Sequence, residues 1–380
     1  MIVKIEEVIS EYSVRNRSDE DIPVYSVTNE KGFCTGYFSK EVASKDKSTY
    51  KIVPRGYFAY NPSRINVGSV DWQKYEDKVI VSPLYVVFGV SERLDRQYLL
   101  HYLKSDMMLS LIREYAIGSV RDNLKLADLG KFPINLRTIE EQHQIAATLD
   151  KIEGLIAKRK QQLDKLDNLV KSRFIELFGD MLLNDMGWKE TDLCSLADVV
   201  SGITKGRKVR ETELIEVPYM AVSNVKDGHI DLTTVKTIMA TKQEIEQYRL
   251  LPYDVLMTEG GDPDKLGRGA VIVAPLENLI HQNHVFRVRL QTDNILPAFF
   301  SQYLQSQKAK KYFIGCAKQT TGIASINMKQ LRSLPVLVPP IEQQWQFAAF
   351  VAQTDKSKYR QEKCIEFFRC LEENIRQEWL

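Results

Sequence analysis

The segment Thr138–Asp180, TIEEQHQIAATLDKIEGLIAKRKQQLDKLDNLVKSRFIELFGD, holds no proline and one internal glycine, Gly154, ahead of Gly179. Leu149, Ile152, Ile156, Leu163, Leu166 and Val170 recur in steps of three and four, with Arg159 standing at one core position. That spacing is the seam of a coiled coil, and Lys, Asp, Glu and Gln occupy the remaining faces. Thr138 with Glu141 forms a capping box at the start, and Gly179 supplies a C-terminal stop. Such a helix is a rod of about 60 Å. A rod of that length does not fold into a small core; it separates what lies at its ends.

The pattern occurs twice. Aligned without gaps against Leu129 onward, the stretch from Leu331 to Leu380 places Pro335 on Pro133, Ile341 on Ile139 and Glu342 on Glu140. Gln344, Gln346, Ala348, Ala349 and Leu371 fall on Gln142, Gln144, Ala146, Ala147 and Leu169. Pro340 sits at the first helical turn, where proline is tolerated, and Ile365, Phe368, Leu371 and Ile375 continue an apolar stripe. The chain is two copies of one unit, a globular body followed by a long helix. The expected division is residues 1–138, a first body; 139–180, a central helix; 186–340, a second body; and 341–380, a C-terminal helix.

Each body is strand-rich. KIVPRGYFAYNP, INVGSV and VIVSPLYVVFGV read as short strands broken by Gly, Pro and Asn, and Asp95–Glu114 reads as a helix. The second body repeats the order. YRLLPYDVLMTEGG stands for YKIVPRGYFAYNPS, with Tyr248 on Tyr50, Leu250 on Ile52 and Pro252 on Pro54. LGRGAVIV stands for INVGSV, and HQNHVFRVRL for VSPLYVVFGV. PAFFSQYLQSQKAKKYFI stands for the first helix, with Tyr303-Leu304 on Tyr102-Leu103. The expected fold class is α+β, two bodies and two long helices that pair antiparallel, with the N- and C-termini close together. Bodies that diverge more than their rods suit one framework carrying two specificities. A pseudo-twofold pair of bodies fits two half-sites on duplex DNA, and unlike bodies fit an asymmetric, bipartite target.

Lys plus Arg (52) nearly balance Asp plus Glu (50), so only a local basic face can serve a nucleic acid. Cys34, Cys194, Cys316, Cys364 and Cys370 have neither CxxC pairing nor zinc spacing, which fits thiols in a reducing compartment. The start, MIVKIEEVISEY, has no basic n-region or apolar h-region, and no stretch approaches eighteen apolar residues. A cytoplasmic protein is expected.

A search for catalytic motifs finds none that is complete. Asn61-Pro62-Ser63-Arg64 faintly resembles the Asn-Pro-Pro-aromatic element of amino-methyltransferases, without the second proline, the aromatic or a glycine-rich cofactor loop. Pro263-Asp264 has no Glu-x-Lys after it, no GKS or GKT loop occurs, and His281 and His284 would point to opposite strand faces. The expectation is a binder, with no catalytic residue, metal or cofactor of its own. Candidate DNA contacts lie in polar loops: Asn61, Ser63, Arg64 and Asn66; Arg121 and Asn123 in GSVRDN; Lys205, Arg207 and Lys208 in ITKGRKVR. Lys265 and Arg268 in EGGDPDKLGRG, and Gln319, Thr320, Thr321 and Asn327 in KQTTGIASIN, complete the set. Arg, Lys and Asn suit phosphate and base-edge contacts. Lys308, Lys310 and Lys311 read as solvated helix surface.

These features together resemble the specificity (S) subunit of type I restriction-modification systems. The resemblance rests on IEEQHQIAATLDKIEGLIAKRKQQLDKLDNLVKSRFIELFGD, on WKETDLCSLADVVSGITKG, and on QTTGIASINMKQLRSLPVLVPP. It implies two target-recognition domains, each reading half of a split sequence in double-stranded DNA. Two methyltransferase (M) subunits would dock on the helices and restriction (R) subunits would join, with S-adenosylmethionine, ATP and magnesium on those partners. The chain differs in that its first body lacks the Trp188-containing lead-in of the second, and in QTDKSKYRQEK standing where the first repeat has DKIEGLIAKRK. A coiled-coil scaffold binding only proteins, and a silent copy that donates target domains, are the competing expectations.

Overall fold

The computed structural model describes residues 1–36, 47–116, 123–208, 213–262, 266–320 and 322–379, without the side chains of residues 116, 319, 320 and 323. Two compact units emerge: Met1–Gln161 with Glu362–Leu380, and Gln162–Gln361.

The first body runs β1 (Ile2–Lys4), β2 (Ile9–Glu11), β3 (Ser26–Thr28), β4 (Gly32–Cys34), β5 (Lys51–Pro54), β6 (Phe58–Tyr60), β7 (Val70–Trp72), β8 (Lys78–Val81) and β9 (Val86–Val90). Helices α1 (Arg96–Leu103), α2 (Asp106–Ala116) and α3 (Leu126–Leu129) follow, then β10 (Pro133–Asn135) and α4 (Ile139–Phe178). Its main sheet has the order β2-β9-β6-β7, all antiparallel, and β1 pairs with β10.

The second body runs β11 (Lys189–Asp192), β12 (Ala197–Ser201), β13 (Ile215–Met220), β14 (Lys236–Ala240), α5 (Lys242–Tyr248), β15 (Val255–Thr258), β16 (Gly260–Gly261), β17 (Gly269–Val271), β18 (Ile280–His281) and β19 (Val285–Leu290). There follow α6 (Pro297–Leu304), α7 (Gln307–Cys316), β20 (Lys318–Thr320), β21 (Ile323–Ser325), α8 (Met328–Arg332), β22 (Pro335–Val338) and α9 (Ile341–Trp379). Its sheet is β12-β19-β15-β17 and β11 pairs with β22, the same topology again.

The two sheets match residue by residue. Phe58 lies between Phe88 and Trp72, and Val255 between Val288 and Val271. Ile9 faces Val90, and Ala197 faces Leu290. Strands β7 and β17 are each entered from a left-handed glycine, Gly68 (φ 84°) and Gly267 (φ 75°), a conformation in which a Cβ is strained. The ladders thus keep the expected alignment of HQNHVFRVRL on VSPLYVVFGV.

Each long helix is seated on its body by the same clamp. Gln142 accepts from Asp95 N (2.7 Å) and donates to the carbonyls of Arg93 (3.0 Å) and Arg137 (2.9 Å). Gln344 accepts from Leu296 N (2.8 Å) and donates to those of Asn294 (2.9 Å) and Pro339 (2.8 Å). Tyr102 and Tyr303 donate their hydroxyls to the carbonyls of Pro133 and Pro335. Thr138 caps α4 through Glu141 N (3.3 Å), and Gly179 (φ 74°) ends it.

Within each unit the helix segments pair antiparallel. In the first, Arg376 bonds Glu153 (2.9 Å) and Arg137 donates to the carbonyl of Trp379 (3.0 Å). The N-terminal amine there donates to the carbonyl of Leu136 (3.2 Å), so both chain ends lie in one unit. In the second, Asp167 meets Lys358 (2.5 Å), and Phe174, Phe178, Phe299 and Phe347 form one buried aromatic cluster. Leu149, Ile152, Ile156 and Val170 are buried as the seam requires, while Leu163 and Leu166 are half-buried. Leu371 is exposed, as is its counterpart Leu169, so this position is off the seam.

Several local readings need correction. KIVPRGYFAYNP is two strands in different sheets, turned at Gly56 (φ 85°). Ile65–Val67 is a 3-10 turn, not a strand. Asp95–Glu114 is two helices, because Ser105 Oγ accepts from Met108 N (3.3 Å) and starts a new one. Ser306 does the same for α7. Within KQTTGIASIN, Lys318–Thr320 pairs with Ile323–Ser325 as β20 with β21, and Pro340 precedes the first residue of α9. Among the described residues no helix is long and apolar enough to cross a membrane.

Candidate nucleic-acid interface

In both bodies the loop leaving the central strand is tied to the segment preceding the last short helix. In the first, Leu124 N donates to the carbonyl of Pro62 (3.2 Å), and Tyr60 OH to that of Leu124 (3.1 Å). Burial raises the Tyr60 hydroxyl pKa far above its ordinary value, so it remains a donor. In the second, Ile326 N donates to the carbonyl of Glu259 (2.9 Å), and Gly260-Gly261 pairs with Ser325-Ala324. A Cβ on Gly260 would stand 2.8 Å from the Ala324 carbonyl oxygen, so the approach needs a glycine.

Around the first junction, Asn61 turns its Oδ1 inward to Ser63 N (3.1 Å) and Ser63 Oγ (2.9 Å), shaping the loop. Arg64 and Asn123 are exposed, Asn66 is half-buried, and none has a side-chain partner among the described residues. Arg121 lies outside the described residues. The loop after β2 carries Arg15 and Arg17, both exposed, with Arg15 bridged to Lys51. The sequence reading passed over these two, although their place after a repeated strand matches the ITKGRKVR loop.

In the second body that loop is pinned beside the turn 282–284. Ile203 N donates to His281 O (2.8 Å), Asn283 N to Ile203 O (3.0 Å), and Ser201 Oγ to Asn283 O (2.7 Å). Lys205 and Lys208 are exposed and unpaired among the described residues. Arg207 is different. Its guanidinium holds both Glu244 oxygens (2.5 Å each) and the Met239 carbonyl (3.0 Å), which raises its own pKa and lowers that of Glu244. It ties the loop to α5 and is not a free cation.

Arg268 is half-buried, and its Nε finds no partner among the described residues. Asn327 caps α8, accepting from Gln330 N (2.9 Å), so its oxygen is already engaged. Lys265 and Thr321 lie outside the described residues, as do the side chains of Gln319 and Thr320. Lys308 is not free surface, because it pairs with Glu190 (2.6 Å).

His281 is buried at the end of β18, whereas His284 is exposed in the following turn. His284 Nδ1 bonds Glu259, and the Asn283 amide lies 3.2 Å from His284 Nε2. Among the described residues, His101, Asp150 and Glu153 form a cluster with metal-ligand atoms within 4.8 Å of one another. Gln97 already bonds Asp150 (2.7 Å) and Arg376 bonds Glu153 (2.9 Å), so these carboxylates serve α1 and the helix pair. Within each body the polar loops gather side chains of the kinds that contact nucleic-acid backbone and base edges.

Residues 4–168 and 186–366 match the Type I restriction modification DNA specificity domain. The chain is 22% identical over 268 residues to the specificity subunit of the type I restriction enzyme EcoKI of Escherichia coli K12, covering 67% of this chain and 58% of that one. It is 23% identical over 270 residues to that of StySPI of Salmonella potsdam, with the same coverage of 67% and 58%. The match thus spans a little over half the length of these relatives. Among solved structures, a chain from a study of assembly and conformational transition in the type I R-M system aligns over 100% of this chain and 96% of its own, with a TM-score of 0.58 at 16% identity. The S subunit of a type I system from M. genitalium aligns over 99% and 94%, with a TM-score of 0.55 at 14% identity.

Proposed function

The chain belongs to the type I restriction modification DNA specificity family, and on that premise we propose that it is a recognition subunit binding an asymmetric, bipartite sequence in double-stranded DNA. The observation that carries this reading is the repetition of one sheet and one clamp beneath unlike loops. Phe58 and Val255 occupy equivalent ladder positions, yet the adjoining loops present Asn61, Ser63 and Arg64 in one body and Glu259, Gly260 and Gly261 in the other. A shared scaffold with different donors and acceptors is what two different half-sites require.

The chain supplies recognition, and partners supply chemistry. Methyltransferase subunits, two in number, dock on α4 and α9 and carry S-adenosylmethionine. Restriction subunits bring ATP and magnesium for cleavage. Supporting the docking role, Ile175 and Trp345 in one unit and Phe367 in the other stand exposed on these helices at 61%, 61% and 64%. Lys205, Lys208 and Arg64 would contact phosphates, which makes binding fall as salt rises.

The experiment is a genome-wide map of adenine methylation in the source cell with and without this chain. The expected result is loss of one asymmetric, bipartite motif on deletion. An unchanged map, with no methyltransferase recovered in complex with the chain, overturns the reading.

A further inference from the structure

The turn entering the central β9 and β19 strands is built alike in both bodies and exposes different chemistry. Tyr85 N donates to Ser82 O (3.0 Å), and Val285 N to Gln282 O (2.9 Å), so Pro83-Leu84 and Asn283-His284 are equivalent tips. Leu84 is 79% exposed, the most exposed large apolar side chain among the described residues. Its counterpart, His284, is exposed and polar. Such a pair has no use in packing. It differs where the scaffold does not.

In the second body this tip is held rigidly. The backbone N–H and carbonyl of Asn283 are both engaged, by Ile203 O and Ser201 Oγ. A Cβ at Gly202 would come within 1.9 Å of the His281 carbonyl oxygen, so no other residue allows this closeness. In the neutral tautomer of His284 that donates Nδ1–H to Glu259, Nε2 is an acceptor. In that tautomer the Asn283 amide, 3.2 Å away, donates an N–H to Nε2. Its second N–H and its Oδ1 remain without partners among the described residues, and the amide is held through His284 to Glu259. The tip is bonded on one side to the loop leading to Lys205 and on the other, through Glu259, to the β16–β21 pairing.

We propose that Asn283 is a specificity-determining residue of the second half-site, reading the N6 and N7 edge of an adenine, with His284 and Glu259 as positioning residues that set its amide. An adjacent acceptor and N–H donor on one planar amide match adenine in the major groove and no other base. The assignment rests on the DNA-recognition reading above. At the equivalent tip of the first body Leu84 offers only apolar contact, suited to a thymine methyl.

The test uses the full chain assembled with its methyltransferase partner, acting on duplex libraries with each position of the wild-type motif randomised. Asn283→Ala, and the isosteric Asn283→Asp should alanine not fold, are expected to lose about tenfold or more of the preference for adenine at one position of one half-site. The other half-site stays as it was. Glu259→Gln, which can still accept from His284, retains the preference, whereas Glu259→Ala and His284→Ala weaken it at that same position. A merely structural role would lower methylation at every sequence alike and leave the preference intact, and that result overturns the proposal. So does an unaltered motif with both Asn283 variants. A wild-type complex that methylates no bipartite motif fails the recognition reading itself, which keeps the two failures apart.

Discussion

His281 sits with no exposed surface, its Nδ1 bonded to Val285 O (2.7 Å) and its Nε2 without a partner among the described residues. Burial is the largest influence and pushes its pKa down to about 4, against the partial support of the Val285 carbonyl. Between its ordinary value near 6.5 and about 4, the unfolded chain binds a proton that the folded chain refuses. Its contribution to stability is therefore complete above pH 6.5 and declines as pH falls toward 4, by roughly 1.4 kcal/mol per unit. Urea denaturation from pH 7 to 4.5 is expected to show this decline, and His281→Gln to flatten it; parallel curves would show that the decline comes from other groups. The sequence puts this histidine and His284, three residues on, on opposite faces of one strand, without saying which is buried. Burial and exposure here follow from a turn that breaks the strand between them, and a periodicity argument assumes no such break.

At the scale of elements, the central long helix and its caps were plain in the sequence, because Thr138, Glu141, Gly179 and a seam interrupted at Arg159 act locally along one helix. The correspondence of Gln344 with Gln142 was equally visible, but its meaning was not, since two of the three groups each glutamine binds lie 47 to 50 residues upstream. Both side chains are fully buried and make the same three hydrogen bonds. Replacing either by alanine strands an N–H and two carbonyls, and is expected to cost about 2–4 kcal/mol. The two variants should cost alike, as measured by chemical denaturation of each; a large cost in one and none in the other would break the equivalence of the two clamps. The single helix expected over Asp95–Glu114 failed for the opposite reason. Ser105 is unremarkable in a helical pattern until its hydroxyl is seen to cap Met108. The candidate loops divide in the same way. Arg64 and Lys205 have no side-chain partner among the described residues, while Arg207 and Asn327 are held by Glu244 and Gln330, partners that residue type alone does not announce.

At the scale of the whole molecule, the proposed reading gives two repeated bodies with unlike loops two half-sites that differ, and makes the length of α4 and α9 a quantity the DNA target would report. If these helices act as the ruler between half-sites, the number of unread base pairs follows helix length, not loop sequence. Removing residues 158–164 from α4 and 361–367 from α9 shortens each by one heptad. Seven residues are close to two full turns, so the seam keeps its facing within about 20°. The loss is about 10 Å of helix, equivalent to roughly three base pairs at 3.4 Å each. The shortened chain, assembled with its methyltransferase partner, is expected to methylate a motif with both half-sites unchanged and the spacer reduced by about that number. Altered half-sites would mean that the helices shape the recognition loops. An unchanged spacer would mean that something other than these helices sets the distance, and the ruler would have to be sought in the bodies themselves.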